Sequence, residues 1–290
     1  MPEGPEIRRA ADRIKKALAD SEIIESDFYY ERIKDKAKTI KNKNILEVTS
    51  HGKAMLIRFV NGWSMYSHNQ LYGRWTVNLK STQIKSNRSL RVLFRTNKHT
   101  VRLWSATDIE LIKTTEECNH KFLKRIGPDV LNESCSTKLI EERLMSKSYQ
   151  KKKASTLMLD QSLFAGLGNY LRSEILFDAK IHPDDRPFDL DKTKINQWSK
   201  SIKNISLLAY KSGGFTVSKS IAVANKANGE PRSAYKHAVF MRNNFECLDC
   251  RNPIERKWYG KRKLDYCPNC QVSNKKKPPK RHLNSLIQHH

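Results

Sequence analysis

Apolar residues change their rhythm along this chain, and the changes divide it. Ile7, Ala10, Ala11, Ile14 and Leu18 follow helical spacing and predict one amphipathic helix over residues 5–20, opened by Pro5 and Glu6. From about 22 to 105 the texture is that of strands. Runs such as 23–28, 54–60, 74–77, 90–94 and 100–104 are rich in β-branched and aromatic residues, with Asn-Gly, Tyr-Gly and polar clusters between them. That pattern predicts a β-sandwich or barrel. Residues 106–130 read as a transition with one short helix. After about 132 the helical period returns, in a segment near 136–146, a second leading into Leu157-Met158-Leu159, a third after Asn169, and a fourth from Asp189 or Asp191 to Gly213-Gly214. Residues 214–235 are polar and read as a long loop, a length that is uncommon unless functional or disordered.

Composition adds a partner. The 290 residues suggest about two domains. Lys and Arg number 55 against 30 acidic residues, a net charge of +25. An excess of that size points to a polyanion, most often nucleic acid, even after allowance for a Lys-rich background. No apolar run approaches the roughly 18 residues of a membrane span, and the charged N-terminus lacks a signal-peptide core. An intracellular protein is expected, and six cysteines there argue for metal or free thiols over disulfides.

Four of those cysteines form two knuckles, Cys247-x2-Cys250 and Cys267-x2-Cys270, separated by sixteen residues long enough for a hairpin. The spacing predicts a tetrahedral Zn2+ site with no open position, hence one structural ion. So small a module cannot sustain itself on a core, so the metal supplies folding energy. Eleven Lys and Arg lie between Arg251 and Arg281 against Glu255 and Asp265, and Arg262 near the returning arm can grip phosphate in bidentate fashion. Cys118 and Cys135 have no evident role.

Two shorter segments carry candidate chemistry. Gly166-Leu167-Gly168-Asn169 joins two helical segments; the glycines allow positive φ, Asn169 can cap the next helix, and the N–H groups at that helix start suit a phosphate. The chain opens Met1-Pro2-Glu3-Gly4-Pro5-Glu6. Loss of Met1 leaves a prolyl secondary amine, a group that is partly uncharged near neutral pH, beside two carboxylates. A helix start is the plainer reading of those residues taken alone.

Together these pieces resemble the formamidopyrimidine-DNA glycosylase and endonuclease VIII family of base-excision repair enzymes. The resemblance runs from residue 1 to about 270: Pro-Glu-Gly-Pro-Glu-Ile at the start, Gly-Leu-Gly-Asn-Tyr at 166–170, and the paired knuckles, in that order. The opening Pro-Glu-Gly-Pro-Glu and the run Tyr66-Ser67-His68-Asn69-Gln70-Leu71-Tyr72-Gly73 resemble the endonuclease VIII branch. The resemblance implies an α+β multidomain fold: an N-terminal β-sandwich flanked by helices (1–131), a helical helix–two-turn–helix DNA-binding domain (132–242), a four-cysteine β-hairpin zinc finger (243–272) and a basic disordered tail (273–290). It implies a bacterial, nucleoid-associated cytoplasmic monomer acting on damaged double-stranded DNA. Pro2 would be the nucleophile, Glu3 the proton donor and shuttle, and Lys53 a hairpin cation near the reacting sugar. Glu6 would support the site. Asn169 and Arg262 would hold phosphates beside the lesion, with Arg172 a further DNA-binding residue. Gln70, Leu71 and Tyr72 would fill the gap left by the extruded base.

The expected activity is excision of oxidised pyrimidines through a proline Schiff base, with strand cleavage by β,δ-elimination. Two readings stand beside it: an oxidised-purine glycosylase of the same family, and a non-catalytic zinc-containing DNA-binding protein. A zinc hydrolase is disfavoured, because four thiolates leave no site for water.

Overall fold

A computed structural model describes residues 2–274; Met1 and most of the expected disordered tail, from 275 onward, lie outside the described residues. Helix α1 (Gly4–Leu18) buries the face foreseen from its spacing, with Ile7, Ala10, Ala11, Ile14, Ala17 and Leu18 all in the core. It leans on eight strands: β1 (Glu25–Phe28), β2 (Ile45–His51), β3 (Ala54–Phe59), β4 (Trp63–His68), β5 (Arg74–Leu79), β6 (Leu90–Arg95), β7 (His99–Trp104) and β8 (Asp108–Lys113). They pair antiparallel in two four-stranded sheets, ordered β1-β6-β7-β5 and β2-β3-β4-β8, and a short helix α2 (Glu31–Ala37) packs on β8 and β1. One apolar cluster joins α1 to both sheets, with Phe59, Phe94, Met55, Ile57 and Leu103 at its centre. Three strands and α2 escaped the sequence reading. β2 and β8 interrupt their apolar positions with Glu47 and Glu110, and Leu46 faces outward.

The helical part follows. Helices α3 (Thr137–Met145), α4 (Ala154–Leu157), α5 (Asn169–Asp178) and α6 (Lys192–Ser212) enclose a second core around Trp198, Phe164 and Leu171. The Asp191 carboxylate caps α6 by accepting from Lys194 N–H at 2.8 Å, and Gly213 ends it at φ 86°. One expectation needs correction: residues 214–235 are not loop throughout, for Lys219–Ala227 form a helix, α7. Its sequence looked polar because it buries only Ala222 and Asn225, while Val223 stays exposed. Strands β9 (Glu255–Tyr259) and β10 (Arg262–Tyr266) then form a hairpin closed by Gly260-Lys261, and Leu264 and Tyr266 of β10 join the helical core. Among the described residues no helix is long and apolar enough to cross a membrane.

Candidate active site and metal centre

Three backbone segments converge on one spot. Strands β2 and β3 are joined by the two-residue turn Gly52-Lys53, with Gly52 at φ 59°. Gly52 N–H donates to Asp129 Oδ2 at 2.8 Å, which ties the turn to the chain entering the helical part. Gly4 N–H donates to Gly166 O at 2.8 Å, which ties the start of α1 to the turn before α5. A Cβ on Gly52 would lie 2.8 Å from Gly166 N, so the close approach requires glycine there.

The Glu3 carboxylate is the pin of this junction. It is 4% exposed, and it accepts Tyr170 N–H at 2.9 Å and Leu171 N–H at 3.3 Å. The first turn of α5 therefore gives its free N–H groups to a carboxylate from α1, where a negative charge complements the helix dipole. The phosphate site expected at that helix start is filled by Glu3, and Asn169 is not the cap: Gly168 is the N-cap residue and Asn169 opens the helix. A Cβ on Gly168 would fall 2.3 Å from Glu3 Cδ, so glycine at 168 is the room in which the acid sits. Glu6 Oε2 accepts Glu3 N–H at 3.0 Å, and its carboxylate also receives the Tyr170 hydroxyl.

Burial pushes the Glu3 pKa from 4.5 up to about 7, against the opposing pull of Lys53 and the two N–H donors. Burial likewise lowers Lys53; Glu3 restrains that shift and Arg262 adds to it. These mutual influences put the acid, the turn lysine and the hairpin arginine in one electrostatic field. All three, with Pro2, Glu6, His68, Leu71 and Asn169, line a single cleft of about 780 Å3.

The remaining expected residues fall around it. His68, at the end of β4, pairs with Ala54 beside the lysine turn, so the following loop 69–73 overhangs the cleft. At its tip Leu71 and Tyr72 are 61% and 71% exposed, while Gln70 donates from Nε2 to Asp108 at 3.2 Å. Asn169 Nδ2 donates to Lys263 O at 2.9 Å, and this fixes its amide against β10. Arg172 is buried. Its guanidinium donates to Ser155 O, Asn169 Oδ1 and Lys263 O, which makes it a brace between α5 and the hairpin. Tyr170, His237 and Phe240 also line the cleft and were not foreseen. The available signal was Glu174, a carboxylate set among Leu171, Ile175 and Leu176 on a helix with no exposed face over 170–177.

The four knuckle thiols lie within 4.8 Å of one another, with Sγ separations of 3.8 Å for Cys247–Cys270 and 3.5 Å for Cys250–Cys267. Bonds of about 2.3 Å in a tetrahedron put sulfurs about 3.8 Å apart, so the donor set fits one thiophilic metal ion. Ala238, Val239, Ile254 and Phe177 pack around it.

Comparison with known proteins shows the family and the fold. Residues 1–108 match the formamidopyrimidine-DNA glycosylase N-terminal domain model, and residues 126–220 its H2TH domain. Endonuclease 8 of Salmonella agona is 36% identical over 271 residues, 93% of this chain and 100% of the relative; that of Escherichia coli O17:K52:H18 is 35% identical over the same span. Among solved structures, Lactococcus lactis formamidopyrimidine-DNA glycosylase bound to N7-benzyl-Fapy-dG DNA superposes with a TM-score of 0.77 at 23% identity, covering 94% of this chain and 100% of that one. The same bacterium's enzyme with DNA containing an oxidised pyrimidine gives 0.76 at 23%, again over 94% and 100%. The chain belongs to the formamidopyrimidine-DNA glycosylase and endonuclease 8 family of base-excision repair glycosylases.

Proposed function

We propose that the protein is a bifunctional DNA glycosylase and abasic-site lyase that removes oxidised pyrimidines and cleaves the strand by β,δ-elimination. The observation that carries this reading is the cleft in which Pro2, Glu3, Lys53 and Arg262 meet. Removal of Met1 makes the Pro2 nitrogen a secondary amine. That amine attacks C1′ of the extruded nucleotide, and the base departs with the electrons of the glycosidic bond and takes up a proton. Glu3, with a pKa of about 7, still carries a proton in a large share of molecules at neutral pH and donates it to the sugar ring oxygen. Ring opening leaves an iminium with no N–H to lose. Its positive charge acidifies C2′–H; loss of that proton expels the 3′ phosphate, and a second elimination expels the 5′ phosphate. Water then releases Pro2.

Lys53 and Arg262 hold the flanking phosphates, and Asn169 adds hydrogen bonds from an amide fixed by β10. Arg172 acts on DNA through Asn169: it is buried, and its two terminal nitrogens donate to Ser155 O, Asn169 Oδ1 and Lys263 O. Gln70, Leu71 and Tyr72 enter the duplex where the base has left. Zn2+ on Cys247, Cys250, Cys267 and Cys270 would hold the two knuckles, and with them the hairpin bearing Arg262. A division into 1–131, 132–242 and 243–272 is supported by two large cores that part near residue 130, although Leu264 and Tyr266 of the hairpin pack into the second of them.

Borohydride trapping tests the reading. Mature protein is expected to form a covalent adduct with an abasic duplex, and Pro2→Gly to form far less. DNA binding without any adduct favours the non-catalytic alternative. The endonuclease 8 relatives and the exposed 70–72 tip support pyrimidine lesions; faster release of 8-oxoguanine than of thymine glycol or 5-hydroxyuracil reverses that choice.

A further inference from the structure

Behind the cleft lies a buried polar relay that the chemistry above does not use. Glu174 of α5 accepts four hydrogen bonds: from Ala238, Val239 and Phe240 N–H, each at 2.8 Å, and from Thr216 Oγ1 at 2.5 Å. Three of these donors are backbone groups and cannot reverse. Burial raises the Glu174 pKa, and all four donors oppose that rise; a carboxyl held by three fixed N–H donors favours the ionised form, which makes Thr216 the donor in the fourth contact. Lys236 O, at 3.3 Å from Thr216 Oγ1, is the weaker acceptor. With its one proton committed, Thr216 can only accept from its other neighbour, His237 Nδ1 at 2.9 Å.

That assignment fixes the ring. Burial, with Lys236 nearby, lowers the His237 pKa to about 3, so the imidazole is neutral. Its single proton sits on Nδ1, and Nε2 is left as a bare acceptor. His237 lines the cleft together with Tyr170 and Phe240. The three rings form one aromatic cluster, with His237 5.4 Å from Tyr170 and 5.3 Å from Phe240.

We infer that His237 Nε2 is a specificity element, accepting an imide N–H on the Watson–Crick edge of the extruded base. Uracil- and thymine-derived rings carry such a group at N3. The inference rests on the glycosylase reading and sharpens it. Thr216 and Glu174 are positioning residues: they never meet the base, and they keep the acceptor facing it.

The test compares single-turnover release of 5-hydroxyuracil with that of its N3-methyl derivative, in matched duplexes. The readout is the ratio of the two rates within one protein, so losses of folding or lyase chemistry cancel. Wild type is expected to favour the N3–H base about tenfold, the scale set by one buried polar pairing. His237→Phe keeps a flat ring without the acceptor and is expected to bring the ratio near one. Thr216→Val frees the tautomer, should narrow the ratio as well, and serves if the His237 variant does not fold. A wild-type ratio near one overturns the inference, as does a large ratio that neither variant changes. Cleavage of a base-free abasic duplex by wild type is run beside it: its absence sinks the glycosylase reading, whereas its presence with an unresponsive ratio sinks only the role of His237.

Discussion

Glu3 offers the sharpest quantitative prediction, because one buried group sets both a stability slope and a reaction step. Its pKa is about 7 in the folded protein against an ordinary 4.5. Between those values the folded protein holds a proton that the unfolded chain has released. Stability due to this group is therefore greatest below pH 4.5, falls as pH rises through the window, and levels off above 7. The distance between those two values corresponds to about 3 kcal/mol. Glu3→Gln cannot titrate. It also loses one of the two N–H contacts, Tyr170 or Leu171, which lowers its whole curve by about 1 kcal/mol without tilting it. Denaturant unfolding of both proteins from about pH 4.5 to about pH 8.5 reads the difference directly. The wild-type curve should lose about 3 kcal/mol relative to Glu3→Gln across that range. Curves that stay parallel to within about 0.5 kcal/mol would refute the argument that burial dominates the charge of this residue. The same titration should appear in the rate of borohydride trapping as a falling limb near pH 7, since Glu3 must be protonated to open the sugar ring, and Glu3→Gln should trap slowly at every pH.

Other perturbations separate chemistry from scaffold. Gly168→Ala sets a methyl 2.3 Å from Glu3 Cδ and should cost several kcal/mol in thermal unfolding together with most base release, whereas Gly62→Ala, which meets no atom but sits at φ 76°, should cost only about 1 kcal/mol of backbone strain. Leu71→Ala, at an exposed tip, should leave unfolding within about 0.5 kcal/mol of wild type while slowing release from duplex more than from single-stranded substrate, measured side by side. Stripping the thiol-bound metal with a chelator should release the β9–β10 hairpin, seen as loss of near-ultraviolet signal from Trp258 and weaker abasic-DNA binding; an unchanged spectrum would mean that the hairpin needs no ion.

Local features were legible and distant pairings were not. The face of α1, the Gly213 helix stop and the two knuckles each follow from residues close in sequence, where spacing and φ requirements act directly. The partner of Glu3 could not be read this way, because Tyr170 N–H lies 167 residues further on. The same distance explains why the α5 start looked like a phosphate site: free N–H groups there attract any anion, and the sequence does not say that an internal one arrives first. Helix α7 hid because a helix that buries two residues leaves almost no periodic trace. The Glu174, Thr216 and His237 relay comes from three separate segments and shows only as one misplaced carboxylate in an apolar helix.

The tether between Glu3 and the start of α5 also works as an interlock. Severed from residues 169–171, the acid would return to water and to ordinary acidity, and an N-terminal fragment bearing Pro2 would have no proton donor poised at neutral pH. By the proposed route, strand scission would then need the start of α5 in the same folded molecule as Pro2.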